Sequence, residues 1–277
     1  MNSRKRLIYS LLALLLAGGC KILGERKVVT FNKQWPAAGV HRVEVNEIDG
    51  TINVEASSSD QITMEAVVRT RVPGKQNEEN QGFFKTELDG DTLTIGRKSE
   101  HRWGVHFGLG GDEYSVTYTL HVPPSVSLEL QTINGKIASR GTDGEMSATT
   151  VNGVVDIETS GTNEVEAKAV NGIIRAHFLK DFHGASFKTV NGRVVAVLPP
   201  SASFSSDFTQ VNGDVEAAFP LNIHSHPGSR RVSGEVNGGR YSLHITTVNG
   251  DIKVENGGGP AAPAAPAAPV PPPTPST

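Results

Sequence analysis

The chain has 277 residues, with 30 glycines, 16 prolines, a single cysteine and a formal net charge of −3. A near-neutral balance gives no electrostatic reason to expect nucleic-acid binding, and one cysteine excludes an intramolecular disulfide. Hydrophobic residues make up 37% and aromatics 6%, low for a thick globular core, so stability has to come from close packing and backbone pairing.

Arg4, Lys5 and Arg6 precede an apolar run from Leu7 to Ala17, broken only by Ser10. The run is shorter than the roughly 20 apolar residues that cross a bilayer core, so it reads as an export signal rather than a membrane span. Ala17-Gly18-Gly19-Cys20 resembles a bacterial lipobox, with Ala17 where Leu is usual and Leu16 one step earlier. This predicts a lipoprotein signal peptide at 1–19, lipid attachment (palmitate or a related acyl chain) at Cys20 and an anchored linker at 20–27. The membrane is then a partner, held by methylenes that contribute ~0.8 kcal/mol each. The alternative is ordinary secretory cleavage, which leaves Cys20 as a free thiol. By resemblance to Gram-negative lipoproteins, Lys21 rather than Asp after the cysteine implies the outer membrane over the inner. Whether the protein faces the periplasm or the cell surface is left open.

Residues 28–125 read as a less regular β region. Val43-Glu44-Val45, Asp49-Gly50 and Ile52-Asn53-Val54-Glu55 form a strand, turn, strand unit. A turn and strand follow at Leu88–Ile95, and Val116–Val122 is a strand that ends at Pro123-Pro124. These strands would cap the end of whatever follows, which would otherwise expose an unpaired edge.

Residues 126–256 carry a repeat. Asn-Gly follows Val or Ile at Asn134-Gly135, Asn152-Gly153, Asn171-Gly172, Asn191-Gly192, Asn212-Gly213 and Asn249-Gly250. The first five asparagines are 18, 19, 20 and 21 residues apart, and Asn212 to Asn249 is 37, close to two periods. A period of this size marks a repeat architecture. Two, four and six residues before each asparagine the side chains are small or apolar, as in Thr150, Ala148 and Met146. Three and five residues after it the apolar set resumes, as in Val155 and Ile157. Such alternation marks half-buried strands. Asn237-Gly238 breaks the rhythm, with Arg231, Ser233 and Glu235 at the inward positions, and reads as part of a connecting loop.

Two all-β architectures fit the repeat. In a β-solenoid each unit is one coil, Asn and Gly take the corner because both tolerate positive φ, and stacked asparagines hydrogen-bond along the axis. In a series of hairpins, Asn-Gly forms type I′ turns. The constancy of the period favours the solenoid, since stacked coils must match in length. Inward alanines such as Ala148, Ala167, Ala169 and Ala196 predict a thin coil. Residues 257–277, GGGPAAPAAPAAPVPPPTPST, have no charge and no large side chain. They read as a disordered, polyproline-rich spacer.

Asp49-Gly50-Thr51-Ile52, Leu93-Thr94-Ile95, Tyr118–Pro123 and the Thr-Val-Asn-Gly units together resemble the bacterial envelope family known as candidate adhesins, a family of unknown function, over about residues 40–255. The resemblance implies a single-stranded β-helix-like fold in the cell envelope and supplies no catalytic residues.

Clustered catalytic groups on a stacked repeat would fall at equivalent positions of successive units. The residue after each Asn-Gly is Lys136, Val154, Ile173, Arg193, Asp214 or Asp251. Asp214 and Glu216 could approach Asp251 and Lys253, as the paired carboxylates of a polysaccharide lyase or hydrolase would. His224 and His226 alternate like metal ligands, with His183 or His244 as a third. A solvated strand face and exposed loop histidines are the favoured readings of the two patterns, given how many ligands a zinc site needs. Trp103 and Phe107, among glycines and histidines at 101–111, could stack on a sugar or partner or tuck over the solenoid's end. The expectation is therefore a non-enzyme without catalytic residues, metal or cofactor. It is read as an adhesin-like binding or scaffold module whose partner is a glycan or an envelope protein. A carbohydrate-active enzyme and an envelope-stress regulatory lipoprotein are the alternatives.

Overall fold

The computed structural model describes residues 27–70, 82–97, 114–226 and 229–257, with the side chains of 222–229 outside the description. The signal peptide, Cys20, the Trp103 segment and the tail from 258 lie outside the described residues. Those residues hold no α-helix, and all their strands join one long open sheet.

The organising unit is a strand that bends at Asp-Gly or Asn-Gly and stacks in register on the next. β2 (Arg42–Ala56), β7 (Ser127–Thr142), β8 (Met146–Thr159) and β9 (Val165–Phe178) are parallel neighbours in that order. The next rung is split into β10 (Ala185–Asn191) and β11 (Val194–Leu198), which pair with the two halves of β9. Alternation explains the interior. Met146, Ala148 and Thr150 before the bend, and Val155, Ile157 and Thr159 after it, are all buried. One core cluster runs from Val40 to Val254, so β2 is the first rung of the same stack rather than a separate cap. Alanines and aliphatics fill the thin middle. Rings form two groups, Phe31, Phe84 and Tyr118 beside the first rung and Phe178, Phe182, Phe204 and Phe219 from β9 towards the far end, in edge contacts 5.0–5.9 Å apart.

The first rung is covered by the chain's N-terminal strands. β5 (Thr92–Gly96) pairs with the first half of β2 and β6 (Tyr114–Val122) with the second. Outside them lie β4 (Lys85–Asp89) on β5, β3 (Gln61–Thr70) on β6 and β1 (Lys27–Pro36) on β3, all antiparallel.

The far end departs from simple winding. β12 (Phe204–Asn212) and β13 (Val215–Ala217) follow β11 in sequence but do not stack on it. The rung on β10 and β11 is the last in the chain, β16 (Tyr241–Asn249) and β17 (Ile252–Asn256). Its other side carries β12 and β13. The 37-residue gap from Asn212 to Asn249 is thus not two further turns of the stack. Between these rungs the chain forms β14 (Asn222–His226) and β15 (Ser229–Val236), and β15 runs antiparallel along the outside of β12. Asn237-Gly238 then carries the chain across the start of β12. Both residues have left-handed φ (50° and 90°), and Gly239 N–H donates to Val236 carbonyl at 3.1 Å, the geometry of a type I′ turn.

The corners also differ from expectation. Asn237 is the only described non-glycine residue with positive φ, so the repeat asparagines are not left-handed. β7, β8 and β9 run unbroken through their Asn-Gly pairs, which therefore bend a strand and do not close a hairpin. The glycines do take positive φ at four of the six repeat corners, Gly135, Gly192, Gly213 and Gly250 (133–158°), and glycine is needed for a second reason. A Cβ on Gly153 would stand 1.7 Å from the Gly135 carbonyl oxygen, and one on Gly172 2.0 Å from that of Gly153.

Candidate functional site

The bends line up as a narrow face along the rod. Its centre is a ladder of side-chain hydrogen bonds. Asn134 donates from Nδ2 to Asp49 Oδ1 at 2.7 Å, Asn152 to Asn134 at 2.8 Å, Asn171 to Asn152 at 2.9 Å and Asn191 to Asn171 at 2.8 Å. Asn249 donates to Asn191 and Asn212 to Asn249, both at 2.8 Å. Every amide points the same way, and the row ends on a carboxylate, which only accepts. Asp at position 49 therefore suits the terminal rung better than another amide. The bond to each neighbour uses one N–H and one lone pair, so each interior Asn retains one of each.

The column just before the ladder is apolar and exposed: Ile133, Val170, Val190, Val211 and Val248 are 38–43% exposed, with Val151 half-buried. Sequence analysis passed over this column. Its signal was present, because a Val or Ile recurs at an outward parity where a polar residue is the norm.

Two positions before each ladder residue lies an inward column: Glu47, Thr132, Thr150, Ala169, Thr189, Thr247 and Gln210. Thr132, Thr150, Thr189 and Thr247 are 1–4% exposed, and their hydroxyls have no partner. The two ends carry longer groups that reach backbone. Gln210 Nε2 donates to Gly250 carbonyl at 3.0 Å. Glu47 Oε1 accepts from Ile48 and Asp49 N–H at 2.9 and 3.2 Å and from Arg97 Nε at 2.7 Å. Burial pushes the Glu47 carboxyl above its usual range against the opposing pull of Arg97, and burial followed by the nearby Glu47 charge raises the Tyr118 phenol. This cluster fixes the first bend. Because a buried unpartnered hydroxyl is costly, Thr150→Val is expected to stabilise the protein by about 1 kcal/mol, read as a higher melting temperature.

The carboxylates singled out from sequence do come together, each against a cation. Arg193 donates to Asp251 Oδ2 at 2.9 Å, Asp214 N–H to Asp251 Oδ1 at 3.2 Å and Arg230 to Asp214 Oδ1 at 3.3 Å. Glu216 lies in register with Lys253, whose Nζ is 2.7 Å from Glu255. The Arg193 hydrogen bond, then that from Asp214 N–H, holds Asp251 below the usual carboxylate range. A depressed folded pKa contributes stability above the unfolded value, near 3.9, that is lost as pH falls through the folded value. Asp251→Asn should therefore lower the melting temperature above about pH 4 and leave it unchanged at the acid end, which flattens the acid limb of the profile.

The two described histidines of this set, His183 and His244, each have their own partners. His183 Nε2 is 3.2 Å from Asp181 Oδ2, and its ring stacks on Tyr241 at 4.5 Å. His244 sits 3.6 Å from Asp207 and 3.1 Å from Thr246. The side chains of His224 and His226 lie outside the described residues. Among the described residues, no three His, Cys, Asp or Glu side chains are grouped as metal ligands.

Residues 125–255 match the Toastrack family, DUF4097. No curated protein matches the chain. Among solved structures, a candidate cell adhesion protein from Clostridium sporogenes is 11% identical with a TM-score of 0.41, covering 83% of this chain and 100% of that one. A candidate adhesin from Bacteroides fragilis is 10% identical with a TM-score of 0.33, covering 83% and 98%. A candidate lipid-binding protein from Parabacteroides distasonis is 11% identical with a TM-score of 0.24, covering 82% and 94%.

Proposed function

We propose that this chain is a non-catalytic, adhesin-like binding module of the cell envelope, held to a membrane by lipid on Cys20, with the narrow face along the Asn ladder as its working surface. The observation that carries the reading is the exposed apolar column from Ile133 to Val248 beside amides that keep one donor and one acceptor per rung. Exposed apolar rows of this length mark interaction surfaces in soluble proteins. The Toastrack match over 125–255 supports the module, and the 18–21-residue unit is read as one rung of a single-stranded β-solenoid. The Asp214–Asp251 face is a poor catalytic centre, because both carboxylates are bound by arginines and Asp251 is held below the usual carboxylate range, opposite to what a general acid requires.

The test is binding of the full chain to envelope and host glycans, peptidoglycan fragments and envelope proteins, with each ligand checked for cleavage. Binding without cleavage that is lost in Val170→Lys supports the reading. Cleavage, or binding that Val170→Lys leaves intact, overturns it. For the anchor, Cys20→Ser should move the protein from the membrane fraction to the soluble one, and continued sedimentation with membranes would contradict lipid attachment.

A further inference from the structure

The narrow face constrains what can bind along its whole length. From Ile133 onward the residues just before, at and just after each Asn carry no charge. Successive rungs are one strand spacing apart, ~4.8 Å, so the seven ladder positions run for about 29 Å. A partner that contacts every rung must repeat at the same interval. An extended peptide presents a side chain to one face every ~6.7 Å and falls out of step within two rungs. A second copy of the same stack stays in step throughout.

Charge selects the direction. In stack order the column after the glycines is Thr51, Lys136, Val154, Ile173, Arg193, Asp251 and Asp214. Two copies aligned in parallel share a twofold along the rod, which swaps the two sides of the face and sets this column over the uncharged threonine side. Two antiparallel copies, centred on the fourth of seven rungs at Asn171, set Lys136 opposite Asp251 and bring Val151 to Val190, Ile133 to Val248 and Val170 to Val170. The aligned amide dipoles of the two ladders then oppose one another, and a twofold contact of this kind closes at a dimer.

We propose that the partner of the narrow face is a second copy of this chain, docked antiparallel about a twofold axis at Val170, with the Ile and Val columns interdigitating. This rests on the reading of that face as the working surface and names its occupant.

The test uses the full chain carrying Cys20→Ser with one added cysteine. Under mild oxidation, Val170→Cys forms a disulfide-linked dimer. Val151→Cys and Val190→Cys alone do not, but their equimolar mixture does. By sedimentation the chain without added cysteine has twice the monomer mass, and Val170→Lys has the monomer mass while keeping a cooperative melting transition. A monomer without substitution, or Val151→Cys and Val190→Cys each self-linking as readily as Val170→Cys, overturns the proposal. A monomer whose ligand binding is nonetheless lost in Val170→Lys overturns the dimer alone and leaves the working surface standing.

Discussion

Gly172→Ala is expected to cost about 3 kcal/mol, at the upper end of overpacking penalties, whereas Asn171→Ala next to it should cost only about 1 kcal/mol. The asymmetry follows from where the added or removed atoms fall. A Cβ on Gly172 would stand 2.0 Å from the Gly153 carbonyl oxygen, an atom of backbone fixed in the parallel ladder. Neither strand can retreat without surrendering register with β8 or β10. Removing the Asn171 carboxamide breaks two hydrogen bonds, but their partners on Asn152 and Asn191 are exposed and water takes their place. Chemical denaturation of both variants gives the comparison. Equal losses would mean that glycine serves a local turn and not the close approach of rungs.

Deleting residues 241–257 should unfold far more than one rung. β16 and β17 are buried between β10 and β11 on one side and β12 and β13 on the other. Their inward side chains Leu243, Ile245, Ile252 and Val254 are 0–1% exposed. At roughly 2 kcal/mol for each such side chain, the direct loss is on the order of 8 kcal/mol. The deletion also strands β12 and β13 from the rest of the stack. Hydrogen exchange should show protection lost across 204–236 as well as at β10 and β11, while β7 and β8 remain protected. A loss confined to β10 and β11, with 204–217 still slow, would mean that the C-terminal rung is peripheral.

Much of this was legible in the sequence. The alternation around Asn152 and Asn171 identifies the inward residues, because a period of two fixes which side chains face the core. The match between Asp49-Gly50 and the later Asn-Gly pairs points to a first rung far upstream. The order of the last rungs was not legible. β12 and β16 carry the same pattern, and nothing in either one records which neighbour it takes. That choice depends on β15, which occupies the outer edge of β12 and leaves its other edge for β16. The expected positive φ is met by the glycine at Gly135, Gly192, Gly213 and Gly250 but not by the repeat asparagines. A full Asn-Gly left-handed turn forms among the described residues at Asn237-Gly238, outside the rhythm, and the repeated glycines also answer to the approach of neighbouring backbone. Alternation does place the exposed Val column outward, one residue before each asparagine, but the apolar character of those residues masks it as core.

The Asn-Gly rungs form one stack in the order 134, 152, 171, 191, 249, 212. The most direct test is a pair of double-cysteine variants in a Cys20→Ser background. Lys188 and Thr246 are register partners on adjacent strands, and Thr246 in turn partners Thr209. Adjacent parallel strands lie about 4.8 Å apart, within disulfide reach, while strands two apart exceed the limit of about 7 Å between Cα atoms. Lys188→Cys with Thr246→Cys should therefore form an intramolecular disulfide on oxidation, and Lys188→Cys with Thr209→Cys should remain reduced. The reverse pattern would show that the chain winds in sequence order and that the C-terminal rung is not inserted.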